Sequence, residues 1–235
     1  MTAKVISALT YAETHVPNVT GEEFPADIGL LYDIPFNYSV IGQRLALLLY
    51  EKGVKLFDQE KLTVVFSTYL KPAEIEDEGR LSNDGSRYIT IGLNADEFNR
   101  RTVDEKLDIL LATTERILMT YDVDHQFSEI ISQAIEVIHN NDEDVPLLYQ
   151  RKSDQKIEVD LSLRLFDNGR CQIFSTIKDR HGEVLRHDHL DDAHCLSVAI
   201  QRCGSILIRK NKIIIKPKKN ILSKNLRPIE IEYTL

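Results

Sequence analysis

Ile157-Glu158-Val159-Asp160-Leu161-Ser162-Leu163-Arg164-Leu165, then Phe166-Asp167-Asn168-Gly169-Arg170, then Cys171-Gln172-Ile173-Phe174-Ser175-Thr176-Ile177-Lys178, is the stretch on which the fold turns. In the first run apolar residues take every second position, which puts them on one face of a pleated strand and the polar residues on the other. Asn and Gly tolerate positive φ, so Asp167-Asn168-Gly169 predicts a tight hairpin turn. The third run returns as a second strand. The three together predict antiparallel sheet with one face packed and one wet.

Toward the C-terminus, His181-Gly182 marks a further turn. Asp191 or Asp192 is then expected to cap a helix that runs to Cys203 and stops at Gly204, burying Cys195, Leu196, Ala199, Ile200 and Cys203. Ser205–Ile208 and Lys212–Lys216 read as a hairpin around Arg209-Lys210-Asn211, and Ile229–Leu235 alternates as a last strand.

Toward the N-terminus, the polar, acidic segment Asn140–Pro146 is the best linker. Before it the clearest helix starts at Thr102-x-x-Glu105, a capping box in which each side chain satisfies a backbone donor of the other residue. Val103, Leu107, Leu110, Leu111, Thr114, Ile117, Leu118 and Tyr121 follow its 3.6-residue period. A second helix, about Asp124 to His139, carries a stripe offset by about 100° from a continuation of the first, so a turn is expected at Asp122-Val123-Asp124. Ser39–Lys52 reads as an earlier helix closed by Gly53. Lys4–Val16 predicts one strand, and Leu62–Leu70 and Arg87–Leu93 are expected to pair as a hairpin with a long acidic tip. The fold class is therefore α+β, mostly antiparallel, with a helical pair in a helix-rich part over 1–140 and a strand-rich part over 147–235. These parts are either two domains or one continuous domain.

The chain has 235 residues, 43% hydrophobic and 28% charged, which excludes a disordered tail, a collagen-like rod and a membrane bundle. Against 37 acidic residues stand 29 basic ones, a formal charge of −8, so a whole-chain nucleic-acid binder is not expected. There are three cysteines and no CxxC pair, and no stretch approaches a membrane span. Met1–Tyr11 lacks the apolar run of a signal peptide. A cytoplasmic protein with no membrane partner is the expectation.

Catalytic signatures are weak. GxSxG, GxGxxG and GxxxxGK are all missing, so no catalytic residue and no cofactor is assigned. His187-Asp188-His189-Leu190-Asp191-Asp192-Ala193-His194-Cys195 gathers the donor types that zinc prefers. Its first six residues resemble the HxHxDH signature of metallo-β-lactamase-type hydrolases, with Asp192 in place of the final histidine. That resemblance implies a metal-dependent hydrolase. The simpler reading ends a strand near His189 and caps the next helix with the two aspartates, so no metal ligand is assigned.

Charge distribution is more informative. Residues 206–228 hold eight basic residues and no acid. This stretch is a nucleic-acid or acidic-protein contact, a lysine-protected edge hairpin, or a segment that docks internally on the acidic remainder, and it lacks aromatic residues for base stacking. Glu74, Glu76, Asp77 and Glu78 fall on the expected hairpin tip, and Asp142, Glu143 and Asp144 on the linker. Carboxylates on such loops steer and dock a basic partner. The reading that follows is an acidic, non-catalytic protein-binding module. It belongs by analogy with the immunity and inhibitor proteins that present carboxylates where a basic enzyme expects phosphates. The alternatives are the metal-dependent hydrolase and a nucleic-acid-associated accessory protein using residues 206–228.

Overall fold

A computed structural model describes residues 3–17, 25–34, 38–77, 79, 81–83, 85–140 and 145–233. The chain divides into two compact units, residues 1–142 and 143–235, and the class is α+β.

The first unit contains, in chain order, β1 (Lys4–Val5), β2 (Ala8–Thr14), β3 (Ala26–Asp27), α1 (Tyr38–Glu51), β4 (Lys55–Phe57), β5 (Lys61–Ser67), β6 (Ile75–Glu76), β7 (Arg87–Gly92), α2 (Ala95–Asn99), α3 (Val103–Tyr121) and α4 (Ser128–His139). Its main sheet has the order β3-β2-β5-β7-β6, with β2, β5 and β7 parallel and the short outer strands antiparallel to their neighbours. The single strand expected over Lys4–Val16 is in fact two, because β1 pairs separately with β4.

Alternation puts Leu9 and Tyr11 of β2, Leu62, Val64 and Phe66 of β5, and Ile89 and Ile91 of β7 on one face, in the same buried cluster as Leu45, Leu110, Ile117 and Ile131 of the helices. α1 carries the chain from β2 to the parallel β5 and comes closest to the sheet at Gly42. A Cβ there would sit 2.5 Å from the Leu9 carbonyl oxygen, so only glycine lets the helix approach this far. The Thr102/Glu105 capping box forms as expected, and α3 ends at Tyr121. The turn also forms, but α4 begins at Ser128 rather than Asp124. The Asp122 carboxylate accepts hydrogen bonds from the Phe127 N–H and the Ser128 hydroxyl, which delays the helix start.

The expected hairpin of Leu62–Leu70 with Arg87–Leu93 does not form. The two strands are parallel neighbours, and the chain returns between them as β6 on the outer side of β7. Strand composition does not encode direction, and a connection this long permits a return. Glu76 therefore lies on an edge strand, with Glu74 and Asp77 flanking it, and not at a hairpin tip.

The second unit contains β8 (Leu147–Ser153), β9 (Ile157–Leu165), β10 (Cys171–Asp179), β11 (Val184–Ala193), α5 (Leu196–Arg202), β12 (Ser205–Arg209), β13 (Lys212–Lys216), a 3-10 turn (Ile221–Ser223) and β14 (Ile229–Glu232). β8 to β11 form a four-stranded antiparallel meander, and β12, β13 and β14 a three-stranded sheet. Ile157, Val159, Leu161, Leu163 and Leu165 are buried as their alternation requires. Gly169 and Gly182 take φ of +81° and +85°, which fits the two predicted turns.

The helix expected from Asp191 or Asp192 begins later. Both aspartates pair with β10 as part of β11, and Cys195 occupies the N-cap of α5. Two register shifts in β11 let the ladder reach Ala193, where ladder hydrogen bonds satisfy the backbone that a cap would otherwise serve. Within residues 206–228, β12 and β13 form the expected hairpin, with β12 at the edge of its sheet and β13 its central strand.

Candidate functional site

Of the acidic residues singled out in the sequence, Glu78, Asp142, Glu143 and Asp144 lie outside the described residues. Glu76 and Asp77 are half-buried and Glu74 is exposed, and all three are hydrogen-bonded within the chain. The Lys71 N–H donates to Glu74 Oε2 at 3.1 Å and the Tyr69 hydroxyl to Glu76 Oε2 at 2.6 Å. Asp77 is the most engaged. Its Oδ2 accepts from Arg87 Nη2 and from the Tyr121 hydroxyl, each at 2.6 Å, and its Oδ1 accepts from the Gly79 N–H at 2.9 Å.

Burial pushes the Asp77 carboxyl up, but the hydrogen bonds from Arg87 and Tyr121 outweigh it and hold the group below the ordinary aspartate range. Arg87 also meets Asp58 at 3.1 Å and lies over the rings of Phe57 and Tyr121. This cluster ties the segment after β6 to the end of α3. It is a latch, and a carboxylate used so is poorly placed to meet a partner.

A second carboxylate is spent internally. Glu13, at the end of β2, is 1% exposed. Its Oε1 accepts from the N–H groups of Leu30 and Leu31 at 2.8 and 2.9 Å, and its Oε2 from those of Gly29 and Tyr32, each at 3.2 Å. Consecutive N–H groups converging on one anion form a nest, and here the protein supplies the anion itself. Beside this, at the carboxyl ends of β5 and β7, lies a cavity of about 340 Å³ lined by Thr68, Leu70, Pro72, Leu93, Asn94 and Asp96. Parallel strands generally bind ligands at that end. The lining groups one carboxylate with an amide and a hydroxyl, too little to assign a reaction.

A longer row of solvent-facing carboxylates lies on the helices. α3 and α4 pack side by side, joined by Asp108 Oδ1 to His139 Nε2 at 2.8 Å and by the Ser132 hydroxyl donating to Glu115 Oε1 at 2.6 Å. Asp104, Asp108 and Glu115 follow helical spacing along this side of α3, as Glu129 and Glu136 do along α4. Five carboxylates thus follow one seam, four of them exposed and Glu115 half-buried. Sequence reading missed them because they are scattered singly over thirty-three positions; only the pairing of the two helices collects them. The imbalance extends to the whole unit: residues 1–142 hold 12 basic against 24 acidic residues, a net of −12, and residues 143–235 hold 17 against 13, a net of +4.

The His187–Cys195 cluster lies along β11 and just after it. His187 Nδ1 is 2.9 Å from the Thr176 hydroxyl and its ring stacks on Phe174 at 5.5 Å, while His189 meets the same ring at 5.2 Å and Asp192 at 3.2 Å. Asp191 is ion-paired with Arg202. An extended backbone spreads these donors along the strand, and among the described residues no group of three His, Cys, Asp or Glu is arranged to hold a metal ion. The geometry that the hydrolase resemblance implies is not formed by these residues.

The three cysteines are all free thiols. Burial pushes those of Cys171 and Cys203 up to about 12. Cys195, expected in the core, is half-buried, and hydrogen bonding by the Ser197 hydroxyl and the Val198 backbone lowers its thiol below the ordinary value. In the basic stretch, Lys212 pairs with Glu230 at 2.6 Å, whereas Lys216, Lys218, Lys219, Lys224 and Arg227 are exposed. Among the described residues no helix is long and apolar enough to cross a membrane. Comparison with protein-family models, with curated proteins and with solved structures finds no match for this chain.

Proposed function

We propose that this chain is a non-catalytic protein-binding module that docks a basic protein partner in the cytoplasm through its acidic first unit, in the manner of an inhibitor or immunity protein. The row of five carboxylates along the α3–α4 seam carries the reading. It lies on two helices, so the backbone that carries the charges is already ordered before the partner arrives. The net of −12 on the same unit supplies the long-range attraction that raises the association rate. Glu74, the edge-strand residue Glu76 and the linker acids Asp142, Glu143 and Asp144 would add to that field.

The test is a tagged pull-down from the native organism, eluted with rising salt and identified by mass spectrometry, then repeated with the purified partner. The expected result is a stoichiometric basic protein released by salt. Its affinity should fall by about two orders of magnitude in the Asp104→Asn/Asp108→Asn/Glu129→Gln/Glu136→Gln variant, with an unchanged far-ultraviolet spectrum. Recovery of the chain alone, or a partner held equally well by that variant, overturns the reading.

A further inference from the structure

The second unit carries an exposed feature that the binding proposal does not use. Ile221 and Leu222 are 86% and 75% exposed, and they stand side by side at the tip of the 3-10 turn between β13 and β14. Water opposes such exposure of two large aliphatic side chains, and adjacent ones are unusual where nothing covers them.

The turn is held in shape. Asn220 Oδ1 accepts from the Ser223 N–H at 3.1 Å, and the buried Ser223 hydroxyl donates to the Lys218 carbonyl. Asn220 Nδ2 donates to Gln201 Oε1 at 2.6 Å, and the Lys218 N–H donates to the Gln201 carbonyl at 2.9 Å, which anchors the turn to the end of α5. The two aliphatic side chains are therefore presented outward by a preorganised backbone. Around them in the chain stand the exposed cations Lys216, Lys218, Lys219, Lys224 and Arg227, with no carboxylate between residues 206 and 228.

We propose that this turn docks the second unit onto the surface of an anionic lipid bilayer, with Ile221 and Leu222 entering the headgroup–acyl boundary and the surrounding cations meeting the lipid charge. Exposed apolar side chains on the turn, flanked in the chain by exposed cations, match the apolar and anionic layers that a bilayer presents. A nucleic acid would use the cations but has no use for two exposed aliphatics, and the stretch has no aromatic residue for bases to stack on. The absence of a membrane span, which led to the expectation of no membrane partner, does not bear on a surface contact. The proposal stands apart from the binding reading, since it involves other residues in the other unit.

The chain has no tryptophan, so Leu222→Trp introduces a lone indole at the apex. The full-length protein is sedimented with phosphatidylcholine vesicles and with vesicles that also contain phosphatidylserine. Binding to the anionic vesicles alone is expected, weakened by salt, with a blue shift of the indole in the Leu222→Trp protein. Ile221→Ser/Leu222→Ser should lower the partition coefficient roughly a hundred-fold, about ten-fold for each inserted side chain. Lys218→Glu/Lys219→Glu should lower it at least twenty-fold, from about five-fold per basic residue at an anionic surface. Both pairs are exposed, so circular dichroism should be unchanged. No sedimentation with anionic vesicles overturns the proposal, as does binding that survives Ile221→Ser/Leu222→Ser. A dimer dispersed by that variant, or RNA binding, overturns it when vesicle binding is missing.

Discussion

Replacing Glu13 by Gln tests whether a buried carboxylate holds the segment that follows β3. The change keeps size and shape but turns one oxygen into an NH2 group. The oxygen that remains will keep the shorter pair of bonds, those from Leu30 and Leu31 at 2.8 and 2.9 Å. The N–H groups of Gly29 and Tyr32, now at 3.2 Å from Oε2, would then face a donor and lose their acceptor. Two buried donors left unsatisfied cost about 1–2 kcal/mol each, and loss of charge assistance in the other two bonds about 1 kcal/mol more. Relief of the buried charge returns part of this, which leaves a net loss of about 2–3 kcal/mol. With a urea m-value of about 2 kcal/mol/M, the midpoint of the first unit should fall by about 1–1.5 M. The assay is urea unfolding by circular dichroism, with amide hydrogen exchange at residues 29–32 reporting locally. A midpoint within about 0.2 M of the parent, with exchange unchanged, would refute the reasoning.

Gly42→Ala forces a methyl group to 2.5 Å from the Leu9 carbonyl oxygen, so α1 must move off β2; despite the better helix propensity of Ala, thermal unfolding should show a loss of about 1–3 kcal/mol. Asp77 titrates lower in the folded protein than in the unfolded chain, so its contribution is full above the unfolded value near 3.8 and is lost as pH falls through the folded one. Asp77→Asn should cost about 2 kcal/mol at neutral pH and flatten the fall of stability with acid, measured by urea midpoints across pH; parallel curves for parent and variant would contradict this. Iodoacetamide should label Cys195 first in the native protein, and Cys171 and Cys203 only on unfolding, as peptide mass mapping would read.

By itself the sequence determined those elements whose signal is local. The alternation over Ile157–Leu165, the Asp167-Asn168-Gly169 turn and the Thr102/Glu105 cap each depend on neighbours in the chain, and each formed as read. Local periodicity also supplied the α3–α4 break. What required tertiary structure was every choice between partners. β5 and β7 have the composition of strands whether they run parallel or antiparallel, so the acidic segment between them could be assigned to a tip when it belongs to an edge. Asp191 and Asp192 suit an N-cap, but β10 offered them a ladder instead. The site shows the same division. The acidic runs are conspicuous along the chain, yet Asp77 is spent on Arg87 and Tyr121, which lie ten and forty-four residues away. The seam of Asp104, Asp108, Glu115, Glu129 and Glu136 has no run to announce it. Helical spacing placed each residue on a side of its helix, but only the packing of α3 against α4 brought the two rows together, because contact between elements depends on burial summed over many residues and no local pattern encodes it.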